Sequence, residues 1–397
     1  MKKILIFAVV LMLAVVVAVP AFAFRIEGAK DTKFYLGGVA LTDIGIWHMD
    51  KEVAQRSGLP NYNTSADQFI LTVPRHSRLR TSVQSGNIGA YWELGMGRDL
   101  RAGHEEGDAG NTLAGQRTNY METRKIYGWY TFGNCTLMAG KNDGSFWVAF
   151  PYQNLGFENN NHVIGLGWGS VYDDRAAQIR FTQNVSKTFS YQVSLVQPFY
   201  SDVTVGGVNF DTVAKYPRID AMITLNFGPV SIMPGGTWSN LYWDQNPPGF
   251  DNQVNVWMAQ LPVKVQAGAF SFIGQIGYGA NIGFYPLQSA FWRPQFQNGK
   301  VKDTKGVFGF ADFAFTAGAV TPHFYIGYDA PENTDVYVGE KKNERLMYGI
   351  GVNWKIADNF FVVPEFTMYD YGKNPQVAGN PSLGKEWLGG VQFQFVF

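Results

Sequence analysis

From Lys33 to Phe397 the chain repeats one unit: a run of about ten residues in which apolar and polar side chains alternate, followed by turn chemistry. Period-two alternation sends successive side chains to opposite faces of a strand, so each run needs one apolar surround and one wet one. In the final run Val391, Phe393, Phe395 and Phe397 share a face, and Gln392 and Gln394 lie on the other. Over 218–227, Ile219, Ala221, Ile223, Leu225 and Phe227 alternate with Arg218, Asp220, Thr224 and Asn226. Over 78–84, Leu79, Thr81 and Val83 alternate with Arg78, Arg80, Ser82 and Gln84.

The connections alternate as well. Short ones fall at Ser85-Gly86-Asn87, Gly133-Asn134, Asn184-Val185-Ser186-Lys187, Gly228-Pro229, Gly268-Ala269, Ala317-Gly318-Ala319 and Ala357-Asp358-Asn359. Between them lie long polar stretches near 48–66, 97–120, 143–175, 197–216, 239–253, 282–305, 329–344 and 370–384. Seven short and eight long connections predict sixteen strands with both termini on one side. Strands of this length cross a bilayer when tilted, and in such barrels the short turns are periplasmic and the long loops outside. Closure removes sheet edges and satisfies every backbone group in lipid, and sixteen strands leave a water-filled lumen. The expected fold is all-β: a sixteen-stranded antiparallel transmembrane β-barrel. A double β-sandwich or β-helix is the soluble alternative.

Composition agrees. Aromatic residues make up 16% of the chain, with 45 Gly and 31 Phe, yet mean hydropathy is only -0.12, as expected where apolar and polar residues alternate. Downstream of Ala23 no stretch approaches the roughly 18 uncharged apolar residues of a membrane helix. A net charge of zero supplies no basic field for nucleic acid. The single Cys135 excludes an internal disulfide and a Cys-x-x-Cys-His haem site. His48, His76, His104, His162 and His323 show no metal-ligand spacing. The reading is therefore no cofactor and no enzyme, with a Ser–His pair converging in space as the catalytic alternative.

At the other end, Met1-Lys2-Lys3, an apolar run from Ile4 to Val19 and Pro20-Ala21-Phe22-Ala23 predict a secretory signal peptide over 1–23, with a retained membrane helix as the alternative. Cleavage near Ala23 leaves one domain, 24–397.

The signal peptide, the sixteen-strand alternation, the Ser77-Arg78-Leu79-Arg80 strand and the terminal Phe397 behind Val391, Phe393 and Phe395 resemble a Gram-negative outer-membrane porin. The resemblance implies a homotrimer in outer-membrane lipid and lipopolysaccharide that lets small hydrophilic solutes diffuse. It also implies a carboxyl-terminal Phe read by the outer-membrane assembly machinery.

In that family the third long loop folds into the lumen, which here is 143–175. It carries Phe146, Trp147, Phe150, Pro151, Tyr152 and Phe157, together with Asp143, Glu158, Asp173 and Asp174. Opposite it the reading places Arg78, Arg80, Arg180 and Arg218, so that acids and bases face each other across a constriction. General porins often carry Pro-Glu-Phe-Gly-Gly in this loop, of which Asn154-Leu155-Gly156-Phe157-Glu158 is a loose echo. Whether Arg124 or Lys125 points inward is open. Tyr91, Trp92, Tyr127, Trp129, Trp354 and Tyr369 read as interfacial girdles or, alternatively, as an aromatic sugar slide. The expected function is a passive porin for ions and small hydrophilic solutes. The alternatives are a channel with a saturable sugar or anion site and a barrel that sheathes an electron-transfer partner.

Overall fold

The computed structural model describes residues 32–397 apart from 57–64, 75, 98–119, 156–162, 165–166, 173–174, 199–202, 206–207, 211, 244–250 and 286–287. The signal-peptide segment 1–23 lies outside the described residues. The chain makes sixteen antiparallel passes. The first eight are β1 (Thr32–Met49), β2 (Ala66–Thr72, resumed at Arg78–Ser85), β3 (Ile88–Gly97), β4 (Tyr120–Phe132), β5 (Cys135–Asn142), β6 (Ala176–Asn184), β7 (Phe189–Val196) and β8 (Thr212–Ala214, resumed at Arg218–Phe227). The second eight are β9 (Val230–Ile232, resumed at Gly235–Trp243), β10 (Gln253–Ala267), β11 (Phe270–Ala280), β12 (Lys305–Phe315), β13 (Val320–Glu332), β14 (Arg345–Ala357), β15 (Phe360–Asp370) and β16 (Lys385–Val396).

Each strand pairs with the next, and β1 pairs with β16 from Val39↔Val396 to Met49↔Glu386, so the sheet closes. The count predicted from turn chemistry is the count observed. Gly86, Gly133, Gly228, Gly268 and Gly318 sit in the short turns with φ between 54° and 60°, a conformation costly for residues with a Cβ. Closure ends on a tight contact: Phe397 and Gly38 exchange backbone hydrogen bonds of 2.7 and 3.1 Å, and a Cβ on Gly38 would stand 2.6 Å from the Phe397 ring.

The two faces are chemically inverted relative to a soluble protein. Outside, Phe69, Leu71, Ile126, Ile179, Ile276 and Ile350 stand exposed, Phe69 at 66% and Ile276 at 63%. Soluble monomers rarely expose contiguous apolar patches beyond a few hundred Å², whereas lipid solvates such a belt. Inside, Arg218, Asp220, Gln275, Asp312, Glu365 and Gln392 are buried. Gln392 and Gln394 face the lumen as expected, since both donate to Asn154 of the loop that fills it.

The girdle reading holds only in part. Trp92 and Trp354 stand on the outer face, exposed. By contrast, Tyr91 and Tyr127 turn inward and stack with centroids 5.3 Å apart, Trp129 covers the bare face of Gly89, and Tyr369 is sealed against Trp168. One residue of parity decides the face, and proximity to a strand end does not.

Candidate channel constriction

Of the loop 143–175, the described residues 143–155 leave β5 and meet inward-facing side chains of β7, β10, β12, β15 and β16. Its start is clamped by the wall it departs from: Lys125 pairs with the Asp143 carboxylate, and Arg180 and Gln178 donate to the Asp143 carbonyl. Gln192 of β7 then donates to the Ser145 carbonyl and Gln260 of β10 to that of Phe146. On the far side the Tyr152 amide donates to Asp312 of β12, and the Asn154 and Leu155 amides donate to Glu365 of β15 at 2.9 and 3.0 Å. Gln394 of β16 reaches the Asn154 side chain at 2.7 Å. The return limb lies on β12–β15, with the Gly169 amide on Asp329, and the Arg345 guanidinium 4.3 Å above the Trp168 ring. Gly169, at φ 69°, lies so close to the Gly309 backbone that no Cβ fits.

Apolar burial holds the loop between these polar anchors. Phe146 is fully buried among Leu241, Trp243, Val256, Met258 and Phe308. Leu155 and Trp168 pack with Phe310, Tyr325, Met347 and Tyr369 in a second cluster. Inward-facing apolar residues on β9–β15 are thus the seat of the loop. At about 25 cal/mol per Å² of apolar surface, full burial of one such ring stabilises docking by roughly 2–3 kcal/mol.

On β2–β4 a separate cluster is rich in arginine. Arg78 and Arg80 of β2 and Arg124 of β4 all converge on Glu93 of β3, at 3.5, 3.0 and 3.0 Å. Tyr91 adds a hydrogen bond of 3.1 Å to the same carboxylate. Glu93 and Arg124 are buried, at 1% and 3% side-chain exposure, while Arg80 remains 46% exposed. Arg124 also pairs with Glu122 at 3.5 Å, and Arg175 lies 4.0 Å from the same carboxylate, so four guanidiniums meet two carboxylates and Arg80 is the exposed member among those on Glu93.

The open question at Arg124 and Lys125 has a structural answer. The β3–β4 ladder shifts register after Glu93, which pairs with Lys125 while Leu94 pairs with Thr123. Arg124 is the extra residue of a β-bulge, and this insertion lets both neighbours serve the interior: Arg124 reaches Glu93 and Lys125 reaches Asp143.

Of the other expected constriction residues, Arg218 lies beneath the loop. Its guanidinium forms a bidentate pair with Asp220 at 2.8 and 2.9 Å and sits 5.4 Å from both the Phe146 and Tyr285 rings, at 1% exposure. Arg180 is taken up at the loop base, and Asp143 is paired there. Glu158, Asp173 and Asp174 fall outside the described residues. Sequence reasoning passed over Glu93, the centre of the cluster, although a two-residue turn at Gly86-Asn87 fixes the hairpin register and sets Arg80 opposite Glu93. Nothing local could have shown that Asp312 and Glu365 receive the loop, because they lie 160 and 211 residues along the chain from Tyr152 and Asn154.

No protein-family model and no curated protein matches the sequence. Solved structures do. The outer membrane channel DcaP of Acinetobacter baumannii superposes with a TM-score of 0.68 at 12% identity, covering 94% of this chain and 99% of that one. OmpT, an outer membrane protein of Vibrio cholerae, gives 0.56 at 12% identity over 94% and 100%. An anion-selective porin from Comamonas acidovorans gives 0.55 at 12% identity over 92% and 100%. At this identity the likeness is one of fold. The chain folds as the sixteen-stranded outer-membrane porins do.

Proposed function

We infer that this protein is an outer-membrane porin, a water-filled channel for passive diffusion of ions and small hydrophilic solutes, biased towards anions. The single observation that carries the reading is the pairing of an inward-folded loop with an arginine cluster, Arg78, Arg80 and Arg124 around one buried Glu93, of which Arg80 is the exposed member. The loop narrows the path, and the cluster sets its sign. A lipid-facing outer belt and an amino-terminal export segment support residence in the outer membrane. The terminal Phe397 is proposed as the assembly signal, with Val391, Phe393 and Phe395 behind it, and a homotrimer as the assembled form. The similar folds include a trimer form of OmpT of Vibrio cholerae.

Purified protein in planar bilayers is expected to give stepwise currents whose reversal potential in a salt gradient has the anion sign. Replacing Arg78 and Arg80 together with Ala shifts that potential towards cations. Folded barrels that carry no current sink the channel reading, and an unmoved potential removes the arginine cluster from it. A saturable anion site is the second reading, favoured by the same convergent guanidiniums. Concentration-dependent current block by a small organic anion separates it from featureless diffusion.

A further inference from the structure

At the short-turn end of β10–β16 the loop tip borders an open cavity of about 410 Å³. Every described side chain lining it is uncharged. Tyr152 and Asn154 come from the loop, and the wall supplies amides, hydroxyls and one aromatic ring, that of Phe361. The loop itself contributes to this neutrality. Asp312 and Glu365 stand behind the tip with 0% side-chain exposure, the first accepting the Tyr152 amide and the second those of Asn154 and Leu155. Lys355, opposite Phe361 in the β14–β15 ladder, is paired with Asp358 of the adjoining turn at 2.7 Å.

Hydrogen bonds within the lining hold it in place. The Tyr152 hydroxyl donates to Ser271 at 3.0 Å. Asn154 Nδ2 donates to Asn353 Oδ1 at 3.1 Å, and Asn154 Oδ1 accepts from Gln394 Nε2 at 2.7 Å. Thr316 and Thr321 share a bond of 3.1 Å, and Gln266 Nε2 donates to the Gly268 carbonyl at 3.3 Å. These contacts engage one end of each wall amide, so Asn353 Nδ2, Gln394 Oε1 and Gln266 Oε1 are the ends left for a guest. One donates, two accept, and a threonine hydroxyl can do either. Phe361 shares a face with Gln394, its partner in the β15–β16 ladder.

A charged solute would shed hydration here without meeting a counter-charge. A purely apolar one would leave amides and hydroxyls unpaired. A ring with hydroxyls round its edge and C–H groups on its faces suits both surfaces, because hydroxyls donate and accept, and the negative face of an aromatic ring attracts weakly positive C–H groups. The volume falls within the range of small-molecule sites. We propose that this cavity is a binding site for an uncharged saccharide, separate from the arginine cluster on β2–β4. The proposal rests on the channel reading for the route by which the solute arrives.

The test is lactose binding to the folded full-length protein in detergent by saturation-transfer NMR, beside ion current through the same preparation in planar bilayers. Wild type should bind saturably, and lactose should block the current with the same concentration dependence. A polyethylene glycol of matched size excludes volume but has no hydroxyl-bearing ring, so it should lower the current without saturation. Phe361→Ala should weaken binding and block about tenfold, and Phe361→Trp should restore them. Thr316→Val combined with Thr321→Val keeps the shape, removes both hydroxyls and should weaken binding by a similar factor; it serves if Phe361→Ala does not assemble. A conducting protein that does not bind lactose, or whose binding neither variant moves, overturns the site and leaves the channel reading intact. Saturable binding by a folded barrel that carries no current overturns the channel reading and leaves the site.

Discussion

Arg80 and Arg124 touch the same carboxylate but stand in different physical regimes. Arg80 is 46% exposed, so its pairing with Glu93 is screened and contributes no more than about 1 kcal/mol. Arg124 is 3% exposed and Glu93 1%, so removing Glu93 takes the shared partner from a buried guanidinium at a cost of about 3–5 kcal/mol. Arg80→Ala should therefore move the reversal potential with little change in thermal stability, while Glu93→Gln lowers the melting temperature of the folded barrel in detergent. Equal stability losses from both would contradict this division. Gly38 makes the sharpest steric demand, because a side chain there meets the ring of Phe397 at the closing seam. Gly38→Val is expected to slow assembly, read as a lower fraction of heat-modifiable folded barrel on a gel at a fixed folding time. Wild-type folding yield would remove the seam from the account.

At the scale of elements, what was legible was what is local. Turn residues and period-two alternation specify strand count and face, because each two-residue turn fixes its own register and each parity its own face. Arg78 and Arg80 were readable as lumenal on that basis, and Glu93 was equally readable from the hairpin register. The seat of the loop was not readable. Asp312, His323 and Glu365 come from three strands and meet loop residues 152–155 only once the barrel has closed. The bulge at Arg124 was also hidden, since an inserted residue leaves no trace in a sequence that alternates on either side of it. Two predictions belong here. Phe146→Ala removes a fully buried ring at a cost to loop docking of about 3–5 kcal/mol. It should raise unit conductance without lowering the melting temperature of the strand ladder, and a fall in both would show that loop and barrel are one cooperative unit. Asp251 clasps the hairpin of the 281–304 loop, accepting from the Val301 amide at 2.9 Å and Lys300 at 3.0 Å. The Val301 amide holds its carboxyl below the ordinary range, with Lys300 adding to the effect. The clasp is then present above the free pKa and weakens as pH falls through the docked one. Hydrogen exchange at Val301 should quicken in acid, and Asp251→Asn should abolish that pH dependence.

For the whole molecule the sidedness of the charges matters most. Acids on β12–β15 are consumed by loop amides and by Arg345, while on β2–β4 Arg80 stands 46% exposed. On the proposed reading, one side of the closed sheet anchors the loop and the other sets the field. The same inverted surface that lets lipid solvate the outside leaves a polar interior able to hold such a loop. The central claim is that Arg80 lines the conducting path, and Arg80→Cys in a Cys135→Ser background tests it most directly. With the channel open in a planar bilayer, a membrane-impermeant, negatively charged thiol reagent should lower the anion current in discrete steps and move the reversal potential towards cations. A current and potential unchanged by a reagent that labels the folded protein would contradict the account.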